Sequence, residues 1–117
     1  MLEGPSKVVI VEGLSDKRQI EKIINDEVEV ICTNGTLGVA RLDELLYDYD
    51  LDHRDVFIMV DEDKAGYRLR KLLARELPHA KHIHVSSEFR EVAAAPNHVL
   101  ATALAAKRID VNPLYLL

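Results

Sequence analysis

The sequence predicts an α/β fold, a three-layer α/β/α sandwich of the Rossmann-like kind around a central, mainly parallel four-stranded sheet. Three observations predict it. Short β-branched runs alternate with longer segments whose apolar residues recur at helical spacing. The resulting β-α-β-α-β-α-β-α order calls for right-handed crossovers that place helices on both sheet faces. The chain of 117 residues is 48% apolar but only 5% aromatic and has no Trp, which gives one domain, residues 1–117, with an aliphatic core.

Each element follows from local chemistry. Lys7–Val11 (KVVIV) is short and β-branched, as expected of a strand buried on both faces, and it ends at Glu12-Gly13. Ser15 has N-capping chemistry, Asp16 falls in the first turn, and Ile20, Ile23 and Ile24 share one helical face. Val28–Ile31 is the second strand. It runs into Thr33-Asn34-Gly35-Thr36, a turn sequence with no returning strand behind it. Val39, Leu42, Leu45, Leu46 and Tyr49 mark the second helix, and Val56–Val60 (VFIMV) the third strand, ended by Asp61-Glu62-Asp63. Leu69, Leu72, Leu73 and Leu77 trace the third helix up to Pro78. His82–Val85 reads as the fourth strand, residues 88–96 as loop and Asn97–Arg108 as an Ala-rich helix. The apolar tail Leu114–Leu117 is expected to add a last short strand or to dock on a second copy of the chain.

Composition excludes several classes. A formal charge of −5 rules out a generic cationic nucleic-acid coat, so any nucleic acid needs a local basic patch or metal ions to screen the acids. The lone Cys32 excludes an internal disulfide framework and a cysteine zinc site, and reads as a small buried hydrophobe. No apolar run approaches the roughly 20 residues of a membrane span, and the N-terminus lacks a charged-then-apolar signal pattern. The expectation is a cytoplasmic protein without membrane contact.

The acids fall where chemistry is expected. In open parallel sheets, ligands sit beyond the carboxyl ends of the strands. Glu12 ends strand one, and Asp61, Glu62 and Asp63 end strand three. Four carboxylates at one sheet edge repel one another unless a cation sits among them, and oxygen-only donors favour Mg²⁺ or Mn²⁺. Residues i and i+2 of an extended segment share a side, so Asp61 and Asp63 can grip one ion while Glu62 points elsewhere. Gly66 lets a helix start close by.

These residues carry a resemblance. VVIVEGLSD (Val8–Asp16) followed by VFIMVDEDKAG (Val56–Gly66) resembles the Toprim domain, a module of topoisomerases, bacterial-type primases, OLD-family nucleases, RecR-type recombination proteins and ribonuclease M5. Its signature is a strand ending in Glu-Gly and a strand ending in Asp-x-Asp, often with Gly three residues on; Thr33-Asn34-Gly35 is similar to the small, M5-like branch. The resemblance implies Glu12 as general acid or base, and Asp61 and Asp63, with Glu12 beside them, as the Mg²⁺ (or Mn²⁺) site. Phosphoryl transfer suits such a set, because the metal offsets charge on phosphate oxygens and a carboxylic acid of raised pKa handles the proton. The topoisomerase tyrosine comes from another domain, and Tyr47, Tyr49, Tyr67 and Tyr115 read as core or surface residues.

Basic residues supply candidate phosphate contacts. Lys64, Arg68, Lys71 and Arg75 form one narrow stripe on the third helix, beginning beside the acids. Lys17, Arg18 and Arg41 fall near helix starts at the same sheet edge. Gly13 and the N–H groups of Asn34-Gly35 are further candidates to face an anion. Glu88 and Glu91 lie in a loop at that edge. His82 and His84 share one face of strand four without a third metal ligand spaced to join them. Two readings stand: a Mg²⁺-dependent nuclease-like enzyme acting on DNA or RNA, and a metal- and phosphate-binding module that needs a partner protein for catalysis or specificity. A homodimer through the third helix would cover the stripe. A phospho-acceptor receiver domain lacks support, since strand one ends in Glu-Gly rather than an acidic pair and no Lys follows Lys107. A haloacid-dehalogenase-type phosphatase normally opens the chain with its Asp-x-Asp and follows it with Thr or Val, not Lys64-Ala65.

Overall fold

A computed structural model of the chain describes residues 5–34, 39–85, 88–89 and 91–116, the side chain of Val39 aside. The elements run β1 (Lys7–Val11), α1 (Leu14–Ile23), β2 (Val28–Cys32), α2 (Val39–Asp48), β3 (Asp55–Ile58), α3 (Lys64–Glu76), β4 (Lys81–His82) and α4 (Asn97–Ala106). The strands lie in the order β2-β1-β3-β4, all parallel. In register, Ile10 stands opposite Ile31 on one side and Ile58 on the other. No described helix is long and apolar enough to cross a membrane.

Strand alternation divides β1 between two cores. Val9 and Val11 pack with Ile20 and Ile23 of α1 and Leu100 and Leu104 of α4. Val8 and Ile10 pack with Leu42 and Leu45 of α2 and Leu69 and Leu73 of α3. Residues 8–11 are essentially inaccessible, which explains why β1 carries a continuous apolar run and not an alternating one. Burying one such aliphatic side chain stabilises the fold by about 1.5–3 kcal/mol before entropy is counted.

Three expectations need correction. The N-cap of α1 is Gly13, not Ser15, and Asp16 at the third helical position bonds back to the Gly13 N–H. The fourth strand is shorter than His82–Val85. It pairs only at Lys81 and His82, after which the Ile83 N–H reaches Ile58 O and the chain turns away with Ile83 and Val85 still buried. Over its described residues, 113–116, the tail forms no strand. Pro113, lacking an N–H, opens a 3₁₀ turn over Pro113–Leu116, with the Leu114 N–H on Asn112 Oδ1. Val111 makes an antiparallel bridge with Ile24 instead, and Leu114 and Leu116 are exposed. The loop over residues 88–96 also holds a 3₁₀ turn, Val92–Ala94.

Candidate functional site

The sheet order makes β1 and β3 neighbours, while α1 and α3 leave them for opposite faces. Chain ends diverging in this way open a crevice at the carboxyl edge, the usual place for a ligand in such sheets. Glu12 lies just past β1, and residues 61–63 just past β3. Ladder pairing persists to the Met59 N–H on Ile10 O. One step further a side chain takes over, and the Asp61 N–H donates to Glu12 Oε1 at 3.0 Å. Glu12 thus stitches the two strand ends together.

Each aspartate holds backbone with one oxygen. Asp61 Oδ1 accepts from the Val92 N–H at 2.8 Å, fastening the loop after β4 to the site. Asp63 is the N-cap of α3, and its Oδ1 accepts from the Gly66 N–H at 2.7 Å. A side chain at position 66 would drive its Cβ into the Asp61 carbonyl, so glycine is required there by close approach and not by backbone conformation. Glu12 Oε2, Asp61 Oδ2 and Asp63 Oδ2 form no hydrogen bond among the described residues.

Partial burial pushes the Glu12 carboxyl above its ordinary pKa, against the bond from the Asp61 N–H, and the charges of Asp61, Asp63 and Asp16 push further. Asp16 is raised as well, chiefly by burial and then by Asp61 and Glu91. It is 6% exposed and within electrostatic reach of Glu12 and Asp61, yet sequence reasoning gave it only a helix-start role. Its signal was an acid three residues after Gly13, where the carboxyl can accept from the N-cap N–H and is fixed at the helix end nearest the edge.

Glu62 turns away from its neighbours, as i and i+2 spacing predicted. Its Oε1 meets Arg70 Nη2 at 3.0 Å and His84 Nδ1 at 3.0 Å. Arg70 escaped the sequence reading. It is 6% exposed and lies on the buried face of α3 with Gly66 and Leu73, where its three- and four-residue spacing to them could have betrayed it. Burial lowers its pKa, while Glu62 and Glu12 act in the opposite sense.

The basic stripe exists as a surface. Lys64, Arg68, Lys71 and Arg75 are all exposed, with Arg75 beside Glu76. Lys64 shares a cavity of ≈ 550 Å³ with Glu62, Asp63, Ala65 and Tyr67, so the stripe does begin at the acids. Other candidates are placed elsewhere. Lys17 lines a groove along the β2 edge with Glu21, Glu29 and Tyr49. Arg41 pairs with Glu44, and Arg18 is exposed on α1. The N–H groups of Gly13 and Asn34 are already committed, to Asp16 Oδ2 and to Glu12 O, and so are not open to an anion. Asn34 has φ 59°, a left-handed conformation that Asn tolerates. Gly35 lies outside the described residues.

The donor set is all oxygen and fits Mg²⁺ or Mn²⁺ in kind, with one unbonded oxygen on each of Glu12, Asp61 and Asp63. Among the described residues, however, no three acidic, His or Cys side chains close into a metal cage. His82 and His84 stack at 6.2 Å between ring centroids and turn to Arg70 and Glu62.

Comparison with known proteins bears on the family and the fold. The Toprim domain family model matches residues 7–88. The chain is 47% identical to the uncharacterised protein YusF of Bacillus subtilis, over 94% of this chain and 74% of that one. It is 31% identical to a ribonuclease M5 of Ligilactobacillus salivarius, over 79% of this chain but 46% of the relative, so it spans about half the length of that enzyme. Among solved structures, a small TOPRIM domain protein from Bacillus stearothermophilus superposes with a TM-score of 0.90 at 41% identity, covering 98% of this chain and 96% of the other.

Proposed function

The chain belongs to the Toprim family, and from that premise we propose that it carries out Mg²⁺-dependent, nuclease-like phosphodiester chemistry on nucleic acid. The observation that carries the proposal is Glu12: a half-buried carboxyl of raised pKa, held by the backbone of the Asp-x-Asp segment at the sheet's switch point. A bound metal would supply charge stabilisation at phosphate oxygens. Asp61 and Asp63 would hold it through their unbonded oxygens, with Asp16 close enough to share in the charge. Glu12 would give or take the proton at Oε2, since Oε1 is bound to the Asp61 N–H. Lys64 and the exposed stripe behind it would lead the phosphate backbone to the acids.

A second reading has support of its own. Each acid spends an oxygen on backbone and no cage is closed among the described residues, as expected of a metal- and phosphate-binding module completed by nucleic acid or by a partner protein. One experiment separates the two. Labelled single- and double-stranded RNA and DNA are titrated with Mg²⁺ and Mn²⁺ against wild type, Glu12→Gln and Asp61→Ala. RNA is the first substrate to try, because relatives carry the name ribonuclease M5. Cleavage by wild type, with Glu12→Gln losing turnover by 10²-fold or more while still binding, supports the enzyme. Metal-dependent binding without cleavage supports the module, and neither result in any substrate overturns both.

A further inference from the structure

We infer that Arg70, acting through Glu62, is a positioning residue for the Asp61–Asp63 metal site. The inference rests on the metal reading above. At the ends of β3 and β4 and just beyond them, the backbone carbonyls of Ile58, Val60 and Ile83 converge on one guanidinium. Arg70 Nη1 lies 3.1 Å from Ile58 O, and Nη2 lies 3.3 Å from Val60 O and 2.8 Å from Ile83 O. The same Nη2 holds Glu62 Oε1 at 3.0 Å, and both side chains are under 10% exposed. Glu62 is the residue between the two aspartates. Tying its side chain to a buried guanidinium fixes the peptide on each side of it, and so the direction in which Asp61 and Asp63 leave the backbone.

The chemistry requires arginine. Only a planar fork reaches three carbonyls and a carboxylate at once; a lysine offers one point charge. Among the described residues Arg70 Nε is buried without a hydrogen-bond partner, so the guanidinium spends its contacts through the two Nη groups. Groups of this kind, which orient metal ligands without touching the metal, commonly change affinity 10- to 100-fold when removed.

The test measures Mn²⁺ affinity by calorimetry, with melting temperature alongside, in wild type, Glu62→Ala, Glu62→Gln, Arg70→Lys, Asp63→Asn and Arg54→Gln. Arg54 is the control for stability, because it is similarly buried but binds carbonyls and a glutamate at the opposite end of the sheet. Glu62→Gln is the control for charge, because its amide oxygen still accepts from Arg70 Nη2. Glu62→Ala and Arg70→Lys should each weaken Mn²⁺ binding about tenfold or more. Glu62→Gln should weaken it clearly less than Glu62→Ala. Arg54→Gln should lower the melting temperature and leave Mn²⁺ affinity within about twofold. If Asp63→Asn weakens binding but neither Glu62→Ala nor Arg70→Lys does, the positioning role is wrong and the metal site stands. If Glu62→Gln weakens binding as much as Glu62→Ala, charge and not position is at work and the inference falls. Should Arg54→Gln weaken Mn²⁺ as much as Glu62→Ala and Arg70→Lys do, the effect is general destabilisation and the inference falls. If wild type binds no Mn²⁺, the metal reading fails first. Where Arg70→Lys does not fold, Glu62→Ala against Glu62→Gln decides alone.

Discussion

The two ends of the sheet are built from similar parts to opposite electrostatic effect. At the amino end, Arg54 donates to Pro5 O, Tyr49 O and Glu29 Oε1, and Lys7 pairs with Asp26 at 2.9 Å. Charges there are matched in pairs. The bond to Asp26 raises the Lys7 pKa, and the Lys7 bond lowers that of Asp26. At the carboxyl end Arg70 repeats the guanidinium-on-carbonyls device, but Glu12, Asp16, Asp61 and Asp63 outnumber the buried cation. Burial together with like charge raises Glu12 and Asp16. One end of the same β1–β3 pair is finished as structure; the other concentrates like charge at a cost in stability, a condition common at functional sites.

The strongest way to break the comparison is backbone contact at the acidic end. Gly66→Ala places a methyl against the Asp61 carbonyl and should cost about 3 kcal/mol in denaturant unfolding. Helix propensity alone predicts a gain of about 1 kcal/mol, so the sign decides between tertiary approach and local preference.

Next in size, Asp63→Asn should weaken Mn²⁺ about tenfold, or about 1.4 kcal/mol, while keeping the α3 cap, because the amide oxygen can still accept the Gly66 N–H. Unchanged Mn²⁺ affinity by calorimetry would remove the aspartate from the site.

A pH series then sets one end against the other. Glu12 has a raised folded pKa, so the native state holds its proton more tightly than the unfolded chain and its ionisation costs stability as pH rises. In metal-free buffer at pH 7, Glu12→Gln should raise the melting temperature, with the gain shrinking as pH falls through the carboxylate range. Asp26 has a lowered folded pKa, so its contribution is present above the ordinary aspartate value and is lost as pH falls through the folded value. Asp26→Asn should therefore lower stability slightly at pH 7 and converge on wild type in acid. Equal signs for the two variants at neutral pH would mean that the ends do not differ as described.

The smallest effect concerns the stripe. Lys71→Ala should weaken nucleic-acid binding severalfold across sequences and reduce the salt slope by about one. A merely solvated face would change neither quantity. Sedimentation of the full chain should come first, because a dimer through α3 would cover the same residues.

Much of this was legible in the sequence because it depends on local order. Apolar runs, helical spacing and charges that begin where a strand stops are properties of neighbours along the chain, and they sufficed for the layers, the parallel order and the pairing of Glu12 with Asp61 and Asp63. Gly66 could be read too, as the residue that lets α3 start against the acids. The remainder depends on partners distant in sequence. Arg70 reads as one more cation on a basic helix until Ile58, Val60 and Ile83 bring their carbonyls to it. Asp16 reads as a helix start until α1 docks and sets it near Asp61. The tail reads as an apolar strand until Val111 takes Ile24 and leaves Leu114 and Leu116 in solvent. Composition and periodicity determine which residues must be buried and where charge is tolerated. Only tertiary structure decides which buried polar group meets which, because that depends on strand order and register, and neither is written in any single segment.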